Sequence, residues 1–187
     1  MTGHDVELSQ CPDFNGSVNV FHAASAYYYA PSDLCGTGGM VREVIHSTPS
    51  WRKGPARYDC VLVENDPTVP GLKGMYIGQV ILFFSFKFRG TDNYPCALVK
   101  WFTRIDENPC PVTGLWMVQP EKDDNGDRVI SVIHVDSIFH GVHLIPVYGR
   151  DFTDKELHFS HSLDAFKTYY VSKYSDYHTF QLLHSMK

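Results

Sequence analysis

The chain has 187 residues with a formal net charge of −5, 43% hydrophobic and 20% charged side chains. That length fits one domain with one sizeable core, and the balance excludes a disordered chain. An acidic total argues against gripping DNA unspecifically through its phosphates and leaves only a local basic patch open. Five cysteines, an odd number with no Cys-x-x-Cys pair, do not form a disulfide framework or a zinc ribbon. Cys60 and Cys96 stand in apolar runs and read as reduced core residues. No run approaches the roughly 18 apolar residues of a spanning helix. The expected setting is therefore intracellular and reducing, nuclear or cytoplasmic, with no membrane partner.

Residues 1–20 are polar and unpatterned and read as a flexible arm, with a single domain over 21–187. The stretch 21–56 reads as a loop-rich lead-in. It opens helix-compatible, is stopped by Pro31-Ser32-Asp33, and passes Gly36, Gly38 and Gly39 before 40–45, which fits helix or strand. From Arg57 the pattern sharpens. Strands are expected over 58–64, 75–88, 96–104, 115–118, 129–135 and 142–148, where Val, Ile and aromatic residues are bounded by turn formers. Gly78 is a natural place for a bulge in the long second run. Asn125-Gly126, inside an aspartate-rich segment between apolar runs, is a hairpin signal. In the tail Leu163, Phe166, Tyr169 and Tyr170 recur at helical spacing after Ser162 and Asp164, which predicts a C-terminal helix over 162–172. The fold class is mainly β: strands in series joined by short turns give a small antiparallel barrel or sandwich, with the helix on one mouth of the barrel.

Three stretches carry a resemblance. They are Tyr29-Ala30-Pro31-Ser32-Asp33 with Gly38-Gly39-Met40, then Tyr94-Pro95-Cys96-Ala97-Leu98-Val99 leading into Trp101-Phe102, then His143-Leu144-Ile145-Pro146-Val147-Tyr148-Gly149. Followed by Ser162-Leu163-Asp164-Ala165-Phe166 and Tyr169-Tyr170-Val171, they resemble the C-terminal region of proteins encoded by fungal (basidiomycete) transposons of the Plavaka and related CACTA-like groups, over about residues 20–180. The resemblance implies an accessory module, with the nuclease upstream. In pattern, 59–63, Ile77-Gly78-Gln79-Val80 and Val99-Lys100-Trp101-Phe102 are similar to the bromo-adjacent homology (BAH) domain, a loop-elaborated barrel related in shape to SH3-like barrels. That implies chromatin or protein contacts. Thr103-Arg104-Ile105-Asp106 stands where that family continues with arginine, proline and glutamate, so no specific ligand carries over.

Four constellations bear on function. Tyr28, Trp51, Trp101 and Trp116, with Tyr27 and Tyr29, offer rings for a methyl-lysine cage, because ring faces hold alkylated ammonium groups. Core filling is the default use of the same rings, because an aromatic-rich small barrel needs them inside. Trp101 and Phe102 are adjacent on a strand and cannot both point inward. Arg42, Arg52, Lys53 and Arg57, interleaved with His46 and Trp51, offer a nucleic-acid contact or an ordinary solvated loop. His134, Asp136, His140, His143, His158 and His161 match no recognised zinc spacing, so no metal and no other cofactor is expected. The glycines at 36–39 lack the lysine of a phosphate loop, no G-x-S-x-G elbow occurs, and most aspartates sit in turns. No catalytic residue is assigned. The leading expectation is a non-catalytic interaction module with a protein or histone-tail partner. The alternative is a DNA-binding accessory domain of a transposase using 42–57. The sequence leaves the oligomeric state open.

Overall fold

A computed structural model of the chain describes residues 14, 16–30, 38–88, 92–149 and 155–184. The protein is mainly β, built on one large antiparallel sheet. The strands are β1 (Val18–Phe21), β2 (Ala23–Tyr29), β3 (Met40–Thr48), β4 (Arg57–Tyr58), β5 (Cys60–Glu64), β6 (Met75–Phe88), β7 (Asp92–Arg104), β8 (Trp116–Pro120), β9 (Ile130–His134), β10 (Ile138–Pro146) and β11 (Tyr169–Ser172). Two short helices, α1 (Ser162–Ala165) and α2 (Tyr177–His184), flank β11.

Eight strands follow the order β1-β6-β5-β10-β11-β8-β7-β9, and β6 also pairs with β7. Long strands change partners along their length. β6 meets β5 over 75–79 and β1 over 83–86, while β7 lines its other side. β10 pairs with β5 at Ile138–Val142 and with β11 at His143–Pro146. A three-stranded sheet, β2-β3-β4, accompanies the large one.

Alternation of side chains across the strands sets up two apolar layers. One cluster takes buried residues from six strands: Leu62 of β5, Ile77 of β6, Phe102 of β7, Trp116 and Val118 of β8, Leu144 of β10, and Tyr169 and Val171 of β11. Leu72, from the 3-10 turn Gly71–Gly74, and Leu183 of α2 join it. A second cluster lies on the other face. There Val61, Val63, Val80, Phe83, Ala97 and Val99 gather with Ile45 of β3. Cys60, Val61, Leu62 and Val63 are therefore all buried, and each such aliphatic side chain contributes about 1.5–3 kcal/mol.

Several sequence expectations change here. The arm ends sooner than residue 20, because Val18–Phe21 pairs with β6; residues 1–13 lie outside the described ones. The lead-in is a long hairpin: β2 and β3 pair from Ala23↔His46 to Tyr29↔Met40. Part of it, Pro31 to Thr37, including Gly36, lies outside the described residues. The bulge falls between Val80 and Leu82 rather than at Gly78. Gly78 instead gives room, since a methyl there would collide with Val99 and the Trp101 ring.

The helix expected over 162–172 is the largest correction. Only Ser162–Ala165 is helical, and the backbone turns extended at Phe166. Tyr169–Ser172 is a strand between β10 and β8, with Tyr169 and Val171 facing inward. The Tyr169 hydroxyl lies 2.9 Å from the Ser162 carbonyl oxygen and accepts from the Phe166 amide at 3.2 Å, fastening the short helix to the strand. Two ladders and inward burial of Tyr and Val outweigh the helical spacing.

Candidate functional site

The four aromatic candidates occupy different environments. Trp116 is 2% exposed, inside the first cluster. Tyr28, 8% exposed, stacks against His140 and His178 at 4.3 and 4.8 Å between centroids. Trp101 faces away from Phe102, lies edge-on to Tyr76, and donates from Nε1 to Ser131 Oγ. Trp51 is half-buried at the tip of the β3–β4 hairpin. Burial of Trp116 and Tyr28 takes both rings out of reach of a ligand cage.

Three of the four basic candidates share that hairpin tip with Trp51. The Gly54 amide donates to the Trp51 carbonyl at 2.8 Å, and the central residues Arg52 and Lys53 have φ of 50° and 64°. Both are left-handed, the backbone of a mirror-image turn that favours Asn-Gly. The guanidinium carbons of Arg52 and Arg57 lie 5.4 and 5.0 Å from the Trp51 ring centre, and His46 meets its edge at 4.2 Å. Arg57 is fixed by a two-pronged pair, Nε and Nη2 donating to Asp59 at 2.8 and 3.1 Å. Asp59 also accepts from the His46 amide at 2.9 Å. Beside the indole opens a pocket of about 410 Å3, walled by Trp51, Pro55, Tyr58, Gln79, Ser160 and Leu163, among others. Arg42 stands apart, opposite Tyr27 in the β2–β3 ladder, and its guanidinium donates to Ser25 Oγ.

A second surface was not singled out in the sequence. In antiparallel ladders, residues directly opposite share a face. Val18↔Phe86↔Tyr94, Val20↔Phe84↔Cys96↔His134 and Leu82↔Leu98↔Val132 form three such rows across β1, β6, β7 and β9, and Ile130 lies opposite Lys100. The opposite side of β6 and β7 is the buried one carrying Val80, Phe83, Ala97 and Val99. On the open side Val20 and Val132 are 55% and 54% exposed, and Val18, Tyr94 and Ile130 are also exposed. Phe14 seats its ring edge-on against Phe86 at 5.1 Å. The signal was available in Val80-Ile81-Leu82-Phe83-Phe84-Ser85-Phe86, which is apolar in both alternations, whereas a strand with one wet face alternates.

The histidines divide. His140, 1% exposed, lies with Nδ1 3.3 Å from Glu43 and Nε2 3.7 Å from Asp176. Glu43 reaches it because Gly141 has no side chain to obstruct the carboxylate, and the Gly141 amide donates to that carboxylate at 2.9 Å. Burial, and then the neighbouring His140, hold the His178 imidazole below its ordinary value. His134 lies 3.5 Å from Asp136 on the surface. Among the described residues no group of three His, Cys, Asp or Glu side chains has the geometry to hold a metal ion. Among them, too, no helix is long and apolar enough to cross a membrane.

No protein-family model, curated protein or solved structure matches the chain.

Proposed function

We propose that this protein is a non-catalytic interaction module that docks an extended, basic peptide segment, such as a histone tail, on the open face of β1, β6, β7 and β9. The observation that carries this is the apolar face itself, three cross-strand rows with Val20 and Val132 more than half exposed. A large, contiguous apolar patch left exposed marks a docking site. Phe14 laid on Phe86 is an example, within the chain, of a side chain from a flanking segment seated there. β1 pairs only with β6 and β9 only with β7 among the described strands, so each offers an open edge for an added strand. Apolar side chains at alternate positions would meet the face. Basic ones between them suit a chain of net charge −5.

The pairings β5-β6-β7-β8-β11-β10 return to β5, and one cluster draws on all six, which supports a closed barrel of the BAH or SH3-like kind. An origin as a fungal transposon module, acting in the nucleus or cytoplasm, rests on the sequence resemblance. The non-catalytic reading rests on burial, since His140, the one imidazole among the described residues with carboxylates near both nitrogens, is sealed under Tyr28.

The test is a titration of isotope-labelled protein with histone-tail peptides and with designed peptides alternating valine and lysine. Amide shifts confined to β1, β9 and their neighbours, lost in Val132→Lys, are expected. Binding that maps elsewhere, or survives Val20→Lys and Val132→Lys together, would sink the proposal.

A further inference from the structure

The Trp51 hairpin carries a second site, distinct from the apolar face. We infer that it binds single-stranded nucleic acid, with a phosphodiester on Arg52 and Lys53 and a base in the pocket beside Trp51.

Arg52 and Lys53 both sit in left-handed conformation at the two central turn positions. Asn-Gly would occupy them without strain, and a non-glycine residue held there is stabilised less by its own backbone than by its surroundings. Strain of this kind collects at ligand-binding positions. What it achieves here is placement, because two cations project together from a tip where both side chains are exposed.

The surroundings are built rather than incidental. Arg57 is locked by two hydrogen bonds to Asp59, which also holds the His46 amide, and its guanidinium lies over Trp51. Arg52 lies over the same ring. An indole with planar guanidinium groups is a stacking platform that accepts any base, since every base has a π face. The adjoining pocket of about 410 Å3 has apolar walls, Pro55 and Leu163, and polar groups, Gln79 and Ser160, for base edges. An acidic peptide would satisfy the cations but leave the stacking platform and pocket without a planar group.

The footprint is small, which fixes the numbers. With Arg57 neutralised by Asp59, Arg52 and Lys53 neutralise one to two phosphates of a single strand, which gives a log–log salt slope of about −0.7 to −1.4. A duplex withholds its bases from the pocket and binds more weakly.

The experiment is fluorescence anisotropy of a labelled ten-nucleotide oligothymidine at 20 and 150 mM salt, with a duplex of the same length and polyglutamate as competitors. The decisive variant is Arg52→Asn with Lys53→Gly, which suits the turn. We expect it to melt about 2–4 °C higher than the parent and to lose at least tenfold in affinity. Val132→Lys, on the apolar face, leaves the affinity unchanged, so this site and the peptide site fail or stand separately. Absence of binding at 20 mM salt would overturn the inference. So would full affinity in the Asn-Gly variant, or polyglutamate competing as well as oligothymidine.

Discussion

At the scale of single residues, similar side chains take opposite roles according to the strand they sit on. Trp116 fills the core, while Trp51 stands at a hairpin tip under two guanidinium groups. Nothing in the count of rings distinguishes them, whereas adjacency did separate Trp101 from Phe102, because neighbours on a strand face opposite ways. The cysteines divide in the same manner. Burial, and then Asp59, push the Cys60 thiol up to about 12. The Thr113 hydroxyl and the Thr113 and Val112 amides draw the Cys110 thiol down to about 7. A lower value means more thiolate at neutral pH, and thiolate is the reacting form. Alkylation of the native protein with iodoacetamide, followed by mass spectrometry, should therefore label Cys110 with a midpoint near pH 7 and leave Cys60 unmodified. Thr113→Val should move that midpoint upward.

At the scale of elements, β6 was legible to its end residues because its run of Ile, Val and Phe permits little else. The β2–β3 hairpin was missed because its residues alternate weakly and much of it is exposed. β11 was misread because Phe166, Tyr169 and Tyr170 satisfy helical spacing, and the ladders that decide otherwise come from β8 and β10, some 20 to 50 residues earlier. α2 docks through Leu183 and places His178 near His140, Tyr28 and Phe139, with Asp176 capping the helix through Thr179. A folded imidazole held below its unfolded value keeps its stabilising effect above about pH 6.5 and loses it as the pH falls, because the unfolded chain then binds the proton more readily. Asp176 opposes the shift and His140 adds to it. The urea midpoint should fall between pH 7.5 and 5.5, and less steeply in His178→Asn.

At the scale of the molecule, the sheet's strands differ in how many neighbours hold them. β5 lies between β6 and β10 with both faces buried, whereas β1 and β9 have one partner each among the described strands. Amide hydrogen exchange should accordingly be slowest at Val61, Leu62 and Val99 and fastest at Val18–Phe21 and Ile130–His134. A uniform rate across these strands would mean that the edges are covered in solution. The two-sided burial of β5 was visible in its unbroken Cys-Val-Leu-Val run. The two-sided apolar run of β6 signals the open face, and the register adds which residues of β1, β7 and β9 share that side.

The placement of β11 also makes the C-terminal stretch part of the core. Only four residues long, it is the piece that joins β10 to β8, and it is the last of the described strands. Tyr169 and Val171 share one cluster with Trp116, Val118 and Leu144. A protein truncated ahead of residue 162 should therefore show that interior to water and bind a hydrophobic dye that the whole chain does not.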